Sequence, residues 1–475
     1  IPRLPVYSKY LEDSAKWLSP KVSAHTHRLI DGGGWPRTDR WVPGELAKAP
    51  FSIAIVPIKK ATADLSTIFN RVTKAIDLTE NQIVRLFASR GDDFFEICKF
   101  ADQLRRDVNG DVVTYVVNRN INYTNICTYR CGFCAFSKST RRSGSRDHPY
   151  LIDLAEIRRR TREAWSRGAT EVCLQGGIHP DFTGDTYLSI CQAIKSEVPG
   201  IHIHAFSPLE VTQGAKTLGI SIAEFLDALK NAGLSTLPGT AAEILDDEVR
   251  RVICPDKIMT NEWLDVIKTA HETGLPTTAT IMFGHVDKPY HWARHLIHVR
   301  TLQSQTGGFT EFVPLPFIHQ EAPMYRRQNC RKGPTFRESL LMHAVARIVL
   351  HQWISNIQVS WTKMGKAGVV QCLQAGANDA GGTLMNESIS RAAGNQNGQE
   401  LPPEQMDHLI RGVGRVPEQR TTKYTNPENH RCVESYNAPP LTSLRYQSDG
   451  VKLSDLLPAA TRQAIKGSSG VLTGQ

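Results

Sequence analysis

The chain has 475 residues, 40% hydrophobic and 22% charged, the balance of a folded water-soluble protein long enough for one large domain or two ordinary ones. No window approaches the unbroken apolar run of a membrane span. The net charge of +9 is scattered over 56 Lys and Arg residues, whose clusters at Arg158–Arg160 and Arg326–Arg331 are short, so it reads as solvated surface; neither nucleic acid nor membrane is an expected partner.

Residues 1–60 are rich in Pro, Trp and Gly and lack an amphipathic period, which predicts a linker or tail. Ile1, not Met, opens the chain, so targeting upstream of it stays open. Regular structure is predicted from about Leu65. Thr79 and Gln82 have the spacing of a capping box ahead of Ile83, Leu86 and Phe87, and a second helical face runs from Phe94 to Leu104. This helical pair is expected to cap the larger unit that begins at Val112.

From Val112 the pattern alternates. Strands are predicted at Thr114–Val117, Glu171–Leu174, Ile201–Phe206, Leu234–Leu237, Thr277–Met282, Glu311–Pro314 and Ile357–Ser360, with a weaker unit between Gln371 and Leu384. The polar Asn118–Asn125 is read as the start of a loop. Helices fill the gaps, one capped by Asp153 and Glu156 and another by Ser221 and Glu224. Seven or eight such units in sequence predict parallel βα repeats and a (β/α) barrel over 61–424, with a doubly wound open sheet as the alternative. After Tyr424 periodicity fades, and 425–475 is expected to be an extended or disordered tail, with one docking turn near Leu453–Leu457.

Chemistry concentrates after the first strand, where Cys127, Cys131 and Cys134 form C-x3-C-x2-C. As thiolates, all three can face one soft metal centre. A lone zinc ion wants a fourth ligand, and the next cysteine is Cys173. Three thiolates and an open position suit an iron–sulfur cluster with one iron left free; a zinc knuckle is the alternative. The other cysteines (Cys98, Cys173, Cys191, Cys254, Cys330, Cys372 and Cys432) are isolated, the usage of a reducing intracellular compartment, and several are expected in the core.

Later strand ends carry further candidates. Gln175-Gly176-Gly177 lets backbone approach a ligand, and His179 beside it caps a turn. Ser207, Glu210 and Glu243 are ligand candidates that fit surface loops equally well, and Thr280 and Met282 point to one side of their strand. His202 and His204 share a sheet face and are expected to satisfy hydrogen bonds rather than bind metal.

Together, VVNRNINYTNICTYRCGFCAFSK, EVCLQGGIHP, HAFSPLE, STLPGTAAEIL, TIMFGH and EFVPLPFIH resemble one subfamily of radical S-adenosylmethionine (SAM) enzymes, over about Leu65–Tyr424. That subfamily contains the tyrosine-dependent hydroxyphenyl transferase of deazaflavin (FO) biosynthesis and the menaquinone futalosine-pathway enzymes. The resemblance implies an α/β, TIM-barrel-like radical SAM fold with an N-terminal helical cap. It implies a [4Fe-4S] cluster on Cys127, Cys131 and Cys134, and SAM held by Phe133, Gln175, Gly176, Gly177, Glu210, Thr280 and Met282. It further implies transfer of the 4-hydroxybenzyl group of L-tyrosine to 5-amino-6-(D-ribitylamino)uracil through a 5′-deoxyadenosyl radical, in the cytoplasm, with ferredoxin or flavodoxin as electron donor. Leu4–Leu11, Trp17, Arg28–Asp31 and Trp35–Gly44 look similar to the end of the ring-closing partner enzyme, which implies a fused upstream half and makes 1–60 its remnant. No catalytic residue is singled out; Arg326 and Arg327 are the candidates for a substrate carboxylate.

Overall fold

A computed structural model describes residues 6, 10, 13–53, 62–138, 148–327 and 330–444. Its strands are β1 (Val112–Val116), β2 (Asn118–Asn122), β3 (Glu171–Gln175), β4 (His202–Ala205), β5 (Thr277–Phe283), β6 (Phe309–Pro316), β7 (Asp379–Gly382) and β8 (Val416–Arg420). Every strand pair is parallel: β7–β1–β8, β2–β3–β4 and β5–β6. Single parallel bridges close the gaps, from His204 to Thr236, Leu237 to Thr277, Phe312 to Ile357, Gln358 to Asp379 and Arg119 to Met385. The pairing therefore runs round a closed ring, and β8 adds to it beside β1. The barrel reading holds over the open sheet.

The predicted fourth and seventh strands shrink to the bridges at Thr236–Leu237 and Ile357–Gln358. In the other direction, the polar run expected to be loop is strand β2. Its asparagines are tolerated because the barrel interior there is polar: Asn118 Nδ2 donates to Glu171 at 2.8 Å and Asn122 Nδ2 to the Ser388 hydroxyl at 2.6 Å. Arg119, between them, meets Glu163 at 2.5 Å. β8, VPEQR, carries no apolar alternation and went unpredicted.

Around the ring, every residue of helix Phe336–Leu350 except Arg337 is buried, because Asp92–Asn109 covers its outer side. The Thr79–Gln82 capping box forms, and helices Glu80–Phe87 and Asp92–Asn109 pack on Pro289–Thr306 and Phe336–Leu350. The predicted helical pair thus lies on the barrel's outer helices. Among the described residues no helix is long and apolar enough to cross a membrane.

Two segments depart from the sequence reading. Residues 31–53, expected to be linker, are a strap laid on the barrel, with Trp41, Val42 and Ile53 all buried. Asp31 accepts from Arg90 and, at 3.0 Å, from Arg337, while the Gly32 N–H donates to Glu338 at 2.7 Å. Its contacts are single, irregular anchors, so no period betrays them. Likewise Asn429–Tyr436, expected to be tail, is a helix: Arg431 lies 3.9 Å over the Trp165 ring and the Tyr436 hydroxyl donates to Asp407 at 2.9 Å. Residues 445–475, with the run Leu453–Leu457, fall outside the described residues.

Candidate functional site

A cavity of about 410 Å³ opens at the carboxyl ends of the strands, and Cys127, Cys131 and Cys134 line it from the loop after β2. That loop is pinned by backbone bonds to three other parts of the barrel. Thr128 N–H donates to Ile178 O at 2.9 Å, Gly132 N–H to Ile253 O at 2.8 Å, and Met324 N–H to Gly132 O at 2.7 Å. All three thiols are half-buried. Burial pushes the Cys131 and Cys134 thiols up, while the Lys257 ammonium nearby pulls the other way. Ile178 N–H points at Cys127 Sγ at 3.3 Å, the kind of contact that stabilises a metal-bound thiolate.

Cys127, Cys131 and Cys134 supply three thiols from one loop that holds no fourth cysteine, one short of a structural zinc set and matched to a cluster with one iron left open. The donor set fits a [4Fe-4S] cluster.

Phe133, Gln175, Gly176, Gly177, Glu210, Thr280 and Met282 all line this same cavity. The two glycines sit there for want of space: a Cβ on Gly177 would stand 2.2 Å from Ile126 O, and one on Gly176 2.3 Å from the Tyr123 ring. Thr280 and Met282 share a face as expected, and the Thr280 hydroxyl donates to Gly239 O at 2.6 Å. Ser207 and Glu210 are a capping box at the start of helix Pro208–Leu218, with Glu210 Oε2 accepting from the Ser207 N–H at 2.7 Å and Oε1 from the Tyr123 hydroxyl. Their S-x-x-E spacing carried that signal, and the sequence reading placed them in a loop instead. Glu243 pairs with Lys257 at 3.0 Å on the cavity wall.

His202 and His204 each bond the Thr236 hydroxyl at 2.7 Å, so they satisfy hydrogen bonds, and burial lowers both below the usual imidazole range. His179 Nδ1 accepts from the Asp181 N–H at 3.2 Å and caps its turn. Arg326 and Arg327 are exposed; Arg326 pairs with Glu321, and neither reaches the cavity. They are not the carboxylate site.

The cavity floor holds residues the sequence reading missed. Arg420 reaches Asp379 at 2.5 Å and Glu311 at 3.1 Å, the Tyr424 hydroxyl donates to Glu311 at 2.5 Å, and Glu171 accepts from the Thr422 hydroxyl at 2.5 Å. Burial raises the Glu311 carboxyl to about 7 against the pull of Arg420. Two carboxylates, Asp379 and Glu311, flank the Arg420 guanidinium, and Glu171 adds a third acidic group to the cavity lining, held by Asn118 and Thr422. Charged residues inside strands otherwise read as apolar, Glu171 and Glu311, were the available signal.

A closed parallel barrel with a three-thiol loop at the carboxyl ends of its strands is the architecture of a radical SAM protein. The Radical SAM superfamily matches residues 121–296 and the CofH/MqnC C-terminal region matches 306–432. The FO synthase of Nocardia farcinica is 51% identical over 347 residues, 73% of this chain and 40% of that protein; that of Mycobacterium leprae is 49% identical over 467 residues, 89% and 54%. The 5-amino-6-(D-ribitylamino)uracil–L-tyrosine 4-hydroxyphenyl transferase of Methanocaldococcus jannaschii is 48% identical over 353 residues, 73% of this chain and 96% of that protein. The chain spans about half the length of the FO synthases it matches. Methylornithine synthase shares the fold at TM-score 0.58 and 18% identity, over 74% of this chain and 97% of that one. The chain belongs to the radical SAM family of the FO synthases and the tyrosine 4-hydroxyphenyl transferases. Its cofactors are a [4Fe-4S] cluster and SAM.

Proposed function

We propose that the chain transfers the 4-hydroxybenzyl group of L-tyrosine to C5 of 5-amino-6-(D-ribitylamino)uracil. The observation that carries this reading is the single cavity that joins the three-thiol loop, the glycine turn and a polar floor, in a chain matching 96% of the M. jannaschii transferase. Cys127, Cys131 and Cys134 hold the cluster, and Phe133, Gln175, Gly176, Gly177, Glu210, Thr280 and Met282 form the SAM wall. The cluster and SAM together supply a 5′-deoxyadenosyl radical when bound.

The chain's own part is positional. Backbone at Gly176 and Gly177 comes close because no Cβ intervenes, and Phe133, Met282, Val313 and Leu315 keep water off the reacting atoms. Asn118, Asn120 and Gln358 on the floor offer donors and acceptors to the uracil edge and the ribityl hydroxyls. The electron donor is a ferredoxin or flavodoxin, the ring-closing half of FO synthase acts on the product, and the site of action is the cytoplasm.

Anaerobic reconstitution with iron and sulfide, then incubation with SAM, reductant, ring-labelled tyrosine and the uracil, tests the reading. Ring label should enter a uracil adduct, and the two-carbon remainder should leave as an imine that hydrolyses to glyoxylate. Turnover of a futalosine-pathway substrate with none of tyrosine overturns it.

A further inference from the structure

The strand ends after Gln358 and β7 bring Lys363, Glu387 and Ser390 to the cavity wall. Lys363 Nζ donates to the Ser390 hydroxyl at 2.8 Å, and the Ser390 N–H donates to Glu387 Oε1 at 2.8 Å. The two opposite charges do not pair directly; Ser390 stands between them. Glu387 is 5% exposed, and its other oxygen, Oε2, is buried with no hydrogen-bond partner. A buried carboxylate oxygen left unsatisfied is costly unless something supplies a donor.

The loop that presents Glu387 is held in an unusual conformation. Leu384 and Asn386 both have positive φ, 56° and 65°, which is strained for leucine. Leu384 is fixed there by its N–H to Asn118 Oδ1 at 2.9 Å, and Asn122 Nδ2 reaches Ser388 at 2.6 Å. Strand β2 thus sets the position of this loop. Burial lowers the Lys363 ammonium, and the nearby Glu387 works against that.

One fixed cation and one fixed anion, separated by a hydroxyl and facing an enclosed space, complement a ligand carrying both charges on adjacent atoms. A neutral uracil or polyol needs hydrogen bonds but not this pair. We propose that Lys363, Ser390 and Glu387 form the subsite for the zwitterionic head of an α-amino acid, with Lys363 and Ser390 taking the carboxylate and Glu387 the ammonium. This rests on the function proposed above and names which residues select its amino-acid substrate.

The test uses the reconstituted chain, with tyrosine as substrate and tyramine and 3-(4-hydroxyphenyl)propanoate as competitors that lack the carboxylate and the amine. Lys363→Met should raise KM for tyrosine about tenfold or more while leaving tyramine inhibition unchanged. Glu387→Gln should do the same for tyrosine while leaving propanoate inhibition unchanged. Lys363→Arg should restore most of the lost affinity, and KM for the uracil and the iron content should stay at their starting values in all three. Unchanged tyrosine KM in both neutral variants, with the parent chain turning over tyrosine, overturns the subsite alone. A parent chain that neither binds nor consumes tyrosine overturns the subsite and the proposed function together.

Discussion

Cys127, Cys131 and Cys134 differ from Cys173 in setting, although all four line one cavity. The first three stand half-buried on a loop; Cys173 is buried on β3 beside Glu171, and burial raises its thiol well above the ordinary range. Replacing any loop cysteine by Ala should therefore abolish the iron absorbance and 5′-deoxyadenosine formation. Cys173→Ala should keep both, as iron analysis and chromatography of the nucleoside would show. The loop thiols were legible because their spacing is local: three ligands within eight residues need no fold to be seen together. Glu311, Arg420, Lys363 and Glu387 were not, because each enters the cavity from a different part of the ring and only its closure brings them together. Arg326 and Arg327 show the converse error, since proximity in sequence to a strand end does not settle which way a side chain faces.

Among the elements, those with a regular period were read nearly to the residue. The helix expected behind Ser221 and Glu224 runs Ile222–Asn231 with its capping box formed, and the expected strand Thr277–Met282 runs Thr277–Phe283. β2 escaped because its inward positions are asparagine, so the signal for burial was inverted. The strap at 31–53 escaped because it has no secondary structure to give it a period. Trp41 is its anchor: 3% exposed, with its ring centroid 5.2 Å from that of Phe336. Trp41→Ala should cost about 3 kcal/mol or more in urea unfolding, the usual penalty for emptying a large buried site. A loss under about 0.5 kcal/mol, the range of ordinary surface substitutions, would make the segment a linker after all.

For the molecule as a whole, several histidines are buried neutral. Burial lowers His271 and His343 from 6.5 to about 4, and His202, His295 and His319 to about 3. Below pH 6.5 the unfolded chain takes up protons that the folded chain refuses until about pH 4 or lower, so stability is lost as pH falls through that window. Between pH 6.5 and 4 each site withdraws up to about 3 kcal/mol. Glu311 works in the opposite sense: its folded value of about 7 lies above 4.5, so it withdraws stability as pH rises between them. Five imidazoles outweigh one carboxyl. Urea midpoints of the cluster-free chain should fall steadily from pH 6.5 to 4; a flat or rising profile would show that these rings are not held neutral by the fold.

The uneven burial of the cysteines makes the chain its own occupancy gauge. All ten are free thiols, and only Cys127, Cys131, Cys134 and Cys432 are more than marginally open to solvent. An alkylating reagent applied to the folded apoprotein should mark those four and spare the rest, which react only when the barrel opens. Once the cluster is assembled, its sulfurs are engaged, and Cys432 on the outer helix should be the only residue modified. Peptide mass spectrometry after a brief iodoacetamide pulse then reports what fraction of a preparation carries its cluster, with no substrate added and no turnover required. Labelling at Cys127, Cys131 and Cys134 that persists undiminished after reconstitution would mean that the iron sits somewhere else.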